Sequence, residues 1–203
     1  NRLAIAYLAK NPSRSFTLRN LCSRLEGFIR AEPRWTAPRT ALAREIARFE
    51  WAQTVAFDEA ARPIGAPEEL GRANPARLRL GLQPYVTLLA LQHPVDDFMI
   101  AVKKRDKLRA EASNATTSAP PAARGHRVAL PRRERTWLAV HRVDNQLYYK
   151  RLEPAAFRIL AALRDGKTLT RAVAAGGRGV TPQQVQDWFS NWAQLGWLCR
   201  RKS

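Results

Sequence analysis

The chain has 203 residues, 45% of them apolar, which supplies enough material for a core in one or two domains and excludes a chain disordered throughout. Lys and Arg outnumber Asp and Glu 35 to 17, and the net charge of +18 selects for anionic partners: nucleic acid, an acidic peptide or an acidic protein. Only two cysteines are present, Cys22 and Cys199, far apart in sequence, and no apolar run approaches the roughly 20 residues that a membrane span requires. A disulfide framework and a Cys-x-x-Cys zinc site are thereby excluded, and a reducing cytoplasm is the expected location.

Leu3, Ile5, Ala6 and Leu8 read as the tail of a helix already under way, so further sequence is expected before Asn1. Asn11-Pro12-Ser13 breaks that helix, and Phe16, Leu18, Leu21, Leu25, Phe28 and Ile29 then recur at helical spacing up to Pro33. Leu42, Ile46, Phe49, Ala52, Val55 and Ala56 mark a long helix over 36–61, with Pro38 in its first turn, Pro63 as its stop, and Arg44, Glu45, Arg48 and Glu50 on a charged outer face. Residues 66–77 read as short helical turns, Leu78 to Leu82 as a strand, Tyr85 to Leu91 as a second strand or extended segment, and Pro94 opens a helix that runs to Lys104.

The composition then shifts. Residues 105–127, with a Ser/Thr/Ala stretch and the tandem Pro120-Pro121, read as a semi-stiff linker between a helical domain (1–104) and a smaller one (128–203). The last segment is the most basic, with 14 cations against 5 anions. Its runs 137–143 and 147–152 flank Asp144-Asn145-Gln146 and predict a β-hairpin. Three helices follow, at 153–164, 168–175 and 182–195, with Thr168 and Thr181 as caps, Pro154 and Pro182 in first turns, and Gly166, Gly176 and Gly196 as stops. A Trp197-Leu198-Cys199 tail ends the segment. The expected fold class is therefore mainly α, with a winged-helix-like α+β module at the C-terminal end.

Catalytic chemistry has no visible carrier. His93, His126 and His141 stand in no ligand motif, Gly176-Gly177-Arg178-Gly179 lacks the strand and Gly-Lys-Ser/Thr context of a phosphate loop, and Asp96-Asp97 and Glu68-Glu69 point apart as neighbours. Cys22 is expected in the core, and Cys199 is a weak candidate for a reactive thiol. No catalytic residue, metal ligand or cofactor is assigned. Binding has better support. An exposed strand over 147–152 could accept an extended peptide by main-chain hydrogen bonding, with Leu147, Tyr148, Tyr149, Lys150, Arg151 and Phe157 supplying aromatic area and positive charge for an acidic leader. The alternative is DNA binding through Arg158, Arg164, Lys167, Arg171 and Arg178. No basic run reads as a recognition helix, since Gln183, Gln184, Gln186 and Asn191 are the polar groups on the third helix.

Three segments, AYLAKNPSRSFTLRNLCSRLEGFI (6–29), ARFEWAQTVAFDEAARPI (47–64) and LRLGLQPYVTLLALQHPV (78–95), resemble the helical DNA-binding-type domain of the HvfC and BufC proteins, above all in Phe49-Glu50-Trp51-Ala52 and Phe57-Asp58. The stretches 152–175 and 185–198 are similar to the peptide-recognition modules of ribosomally made, modified peptides. The resemblance implies a non-catalytic, chaperone-like subunit that binds a precursor peptide and partners a barrel-fold multinuclear iron oxidase, which modifies cysteines of the peptide. The iron ligands would belong to that partner.

Overall fold

The computed structural model describes residues 2–13, 16, 18–64, 74–113 and 128–200, with side chains as far as 106 in the helix that ends at 113. The chain is α+β, its helices arranged about a three-stranded antiparallel sheet. That sheet consists of β2 (Thr87–Leu91), β3 (Thr136–Val143) and β4 (Gln146–Arg151), in that order. A two-stranded sheet pairs β1 (Leu80–Leu82) with β5 (Leu198–Arg200), so the expected C-terminal tail is a strand. Both sheets therefore join residues from before and after 105–127.

Alternation along the strands turns two sets of side chains to opposite faces. Leu89, Leu91, Leu138 and Val140 face α3 (Thr40–Asp58), which contributes Leu42, Phe49, Ala52 and Ala56. Leu88 and Ala139 face the other way, onto α5 (Pro154–Arg164) and the tryptophans Trp192 and Trp197. Ile159, Leu160 and Leu163 of α5 are fully buried there, each contributing about 1.5–3 kcal/mol of burial. All four residues of the Phe49–Ala52 motif are placed by burial: Phe49 and Ala52 are core, Trp51 is half-buried, and Glu50 is exposed.

The N-terminal helices differ from the expected spans in instructive ways. α1 (Arg2–Lys10) stops where Asn11-Pro12 predicts. The single helix expected through 16–29 is instead a 3-10 turn at Leu18–Asn20 followed by a short α2 (Leu25–Ala31), and Phe16 and Leu18 are exposed. Their spacing was helical, but only Phe28 and Ile29 found a surface to bury against. Cys22 is exposed, not core. The helix α3 begins at Thr40, after Pro38, and ends five residues before Pro63. Glu45, expected on its charged outer face, is buried. The helix expected to stop at Lys104 is α4 (Val95–Ser113), so residues 105–113 of the anticipated linker continue it. The remaining linker residues, 114–127, the turns expected over 66–73, His126 and Glu68-Glu69 lie outside the described residues.

The C-terminal elements follow the expected order, with α6 at Leu169–Ala174 and α7 at Pro182–Gln194. Thr181 forms a full capping box with Gln184, whereas Thr168 makes no side-chain cap bond. Gly166, at φ 80°, ends α5. Between α6 and α7 the left-handed positions fall on Gly177 at φ 91°, one residue beyond the expected stop, and on Gly179 at φ 89°.

Candidate functional site

The hairpin turn fixes which way β4 points its main chain. Asp144 and Asn145 both have positive φ, 48° and 60°, a two-residue turn whose twist matches the strands it joins. Such a turn is closed by a hydrogen-bonded pair, here Val143 and Gln146, and the bonded pairs then alternate along the ladder. Gln146, Tyr148 and Lys150 thus address β3, and the Leu152 N–H continues the series to the Trp137 carbonyl at 2.8 Å. The N–H and C=O groups of Leu147, Tyr149 and Arg151 point outward from the sheet edge, and no described residue pairs with them.

The side chains of β4 have separate duties. Leu147 and Tyr149 pack toward α3 and α4, with the Tyr149 ring 4.8 Å from that of Phe49 and its hydroxyl 2.8 Å from Gln53 Oε1. Lys103 of α4 also donates to the Tyr149 hydroxyl, at 3.3 Å. Tyr148, on the opposite face, is exposed and stacks against buried His141 at 5.7 Å between centroids. Lys150 is half-buried and has no partner among the described residues. Arg151 is committed internally: its guanidinium binds Asp96 and Asp97 at the start of α4, which raises its already high pKa. Of the expected peptide-contacting cations, only Lys150 is uncompensated.

Phe157 does not join this edge group in its surroundings; it lines a cleft of about 400 Å³ between α5 and α6 together with Arg158, Lys167 and Arg171. The cations read as a nucleic-acid set are therefore divided. Arg158 caps the end of α6 by donating to the Ala175 and Gly176 carbonyls, Arg164 pairs with Asp165 at 3.0 Å, and Arg178 stands in the turn before α7. α7 presents Gln183 and Gln186 to solvent and buries Trp192, as its polar and aromatic pattern predicts.

Sequence reading missed one pairing of acid–base residue types because its members are 48 positions apart. Glu45 accepts from the Gln92 N–H at 2.6 Å through one oxygen and lies 2.7 Å from His93 Nδ1 through the other. Both side chains are buried, so the pair joins α3 to the turn between β2 and α4. Glu45 stands three residues after Leu42 and four before Phe49, so it interrupts the apolar stripe of α3, and that spacing is the one signal the sequence held. His141 is buried with its Nδ1 unpartnered, and desolvation lowers its pKa. Cys199, considered as a reactive thiol, is buried with Sγ 3.3 Å from the Leu82 carbonyl, a sheltered position for a nucleophile. Among the described residues no group of three or more His, Cys, Asp or Glu side chains could hold a metal ion, and no helix is long and apolar enough to cross a membrane. No protein-family model matches this chain, and no curated protein matches it.

Proposed function

We propose that the chain is a non-catalytic scaffold subunit that holds a ribosomally made precursor peptide by strand addition to β4 and presents it to a barrel-fold multinuclear iron oxidase, which modifies the peptide's cysteines. One observation carries the reading: β4 is an edge strand whose outward main-chain groups at Leu147, Tyr149 and Arg151 have no partner among the described residues. An extended peptide laid along that edge gains a ladder of hydrogen bonds, and its alternate side chains fall on the two faces beside Tyr148 and Lys150 or beside Tyr149. Lys150 favours an acidic leader. The hairpin followed by three helices is read as a winged-helix-like recognition module, in keeping with the resemblance of 152–175 and 185–198 to such modules.

The test begins with the neighbouring reading frames, which should encode a short Cys-containing peptide and a barrel-type oxidase. Titration of that peptide into the chain should give saturable binding that moves the amide NMR signals of 147, 149 and 151 more than those of 146, 148 and 150. Binding without perturbation of β4 would overturn the strand-addition reading.

A further inference from the structure

The cleft between α5 and α6 is a second binding surface. α5 buries Ala156, Ile159, Leu160 and Leu163 against the sheet, which leaves Phe157, Ala161 and Ala162 on its other side. With Ala175 they form an apolar floor, and because three of the four are alanines the space above them is left open, about 400 Å³ and within the range of ligand sites.

The walls are fixed before anything binds. Arg158 Nε donates to the Ala175 carbonyl at 3.1 Å, and the same guanidinium bonds the Gly176 carbonyl. A Cβ on Gly176 would meet Ile159 Cδ1 at 3.0 Å, and one on Gly177 would meet the Arg158 guanidinium at 3.3 Å, so the end of α6 approaches α5 closely only because glycine stands there. The rim is electrically unbalanced. Lys167 and Arg171 are exposed and have no partner among the described residues, while the single acid of the cleft, Asp165, is paired with Arg164.

We propose that this cleft docks an acidic amphipathic segment of a protein partner, with one or two large apolar side chains on the Phe157–Ala162 floor and flanking carboxylates against Lys167 and Arg171. A nucleic-acid backbone satisfies the cations but brings no apolar group to the floor. An acidic amphipathic helix satisfies both, in the manner of helix-in-groove recognition. The site lies on the face of α5 turned away from the sheet and does not depend on strand addition to β4.

The probe is a fluorescein-labelled amphipathic peptide with leucines at helical i, i+4 spacing and glutamates between them, titrated into the full chain by fluorescence polarisation. The same peptide with lysines for glutamates and a duplex DNA at matched salt form the other arms. The acidic peptide should bind and the lysine peptide should not. Lys167→Glu and Arg171→Glu should each weaken binding about tenfold with unchanged unfolding midpoints, and Ala161→Trp should weaken it by filling the floor. Lys104→Glu, exposed on α4 and part of neither proposed binding surface, should leave it unchanged. Absence of acidic-peptide binding, or binding indifferent to both charge reversals, overturns the proposal. So does duplex binding that the reversals abolish and Ala161→Trp spares, which would mark the cleft as a phosphate contact.

Discussion

Arg151 on the edge strand grips Asp96 at the start of α4, with its Nε 2.8 Å from one carboxylate oxygen and a terminal nitrogen 3.1 Å from the other. That terminal nitrogen also lies 2.6 Å from Asp97. The Asp96 side chain is only 8% exposed, so it depends on this partner far more than Asp97 does. Arg151→Ala should destabilise the fold by about 1–3 kcal/mol in urea denaturation, a range held down by the half-exposed guanidinium. Asp97→Ala should cost little. A double-mutant cycle at 151 and 96 that shows no coupling would refute the pairing.

Because Arg151 is engaged, the informative charge reversal on the edge strand is Lys150→Glu. It should weaken an acidic leader about tenfold and leave the unfolding midpoint near the parent's. Tyr149→Phe should behave in the opposite way, removing the hydroxyl bond to Gln53 at a cost of about 1 kcal/mol while peptide binding persists, since strand addition uses main-chain groups. Peptide affinity that follows the tyrosine hydroxyl and ignores Lys150 would count against the proposed edge.

His141 predicts a pH dependence. Burial holds its pKa below the ordinary value of 6.5, with Lys150 nearby adding to the effect, and its ring is enclosed by Tyr148 and Trp197. At pH above 6.5 both folded and unfolded chains carry neutral imidazole, and the stability is full. As pH falls below that value the unfolded chain takes up the proton first, so stability declines until the folded-state pKa is reached. Urea midpoints measured from about pH 7.5 to about pH 5.5 should fall in the parent and fall less in His141→Gln. Equal slopes in the two proteins would show that other groups carry the dependence.

The two helix caps should separate cleanly. Thr181→Ala removes an acceptor for the Gln184 N–H, and with it half of a reciprocal capping box, at about 1 kcal/mol. Thr168→Ala removes no side-chain cap bond and should be close to neutral. Comparable losses at both positions would mean that Thr168 acts through packing instead.

The hairpin was legible in the sequence because it is local: two β-rich runs flank turn-forming residues. Its register was not, since a tip of Asp144-Asn145-Gln146 would set Val143 opposite Leu147, whereas the two-residue turn pairs Val143 with Gln146. The three helices after it were equally legible, since prolines and glycines mark their ends. Failure came where local pattern competed with burial. Phe16 and Leu18 have helical spacing but no partner surface, so they lie exposed beside a 3-10 turn. Residues 105–113 carry charge that reads as linker, yet charged residues are good helix formers and α4 simply continues through them.

What the sequence alone determined is the order and kind of most elements, the capping at Thr181 and the strong positive charge, all set by residues close together in the chain. Tertiary structure decided the rest. It took β1 and β2 from one side of residues 105–127 to complete sheets with strands from the other, turned Glu45 inward to His93, engaged Arg151 with Asp96, and set Phe157 beside Lys167 and Arg171. Those pairings join residues 10 to more than 100 positions apart, and periodicity cannot report them: side-chain spacing says which face of an element is apolar, whereas the partner for that face is chosen by the packing of the whole chain.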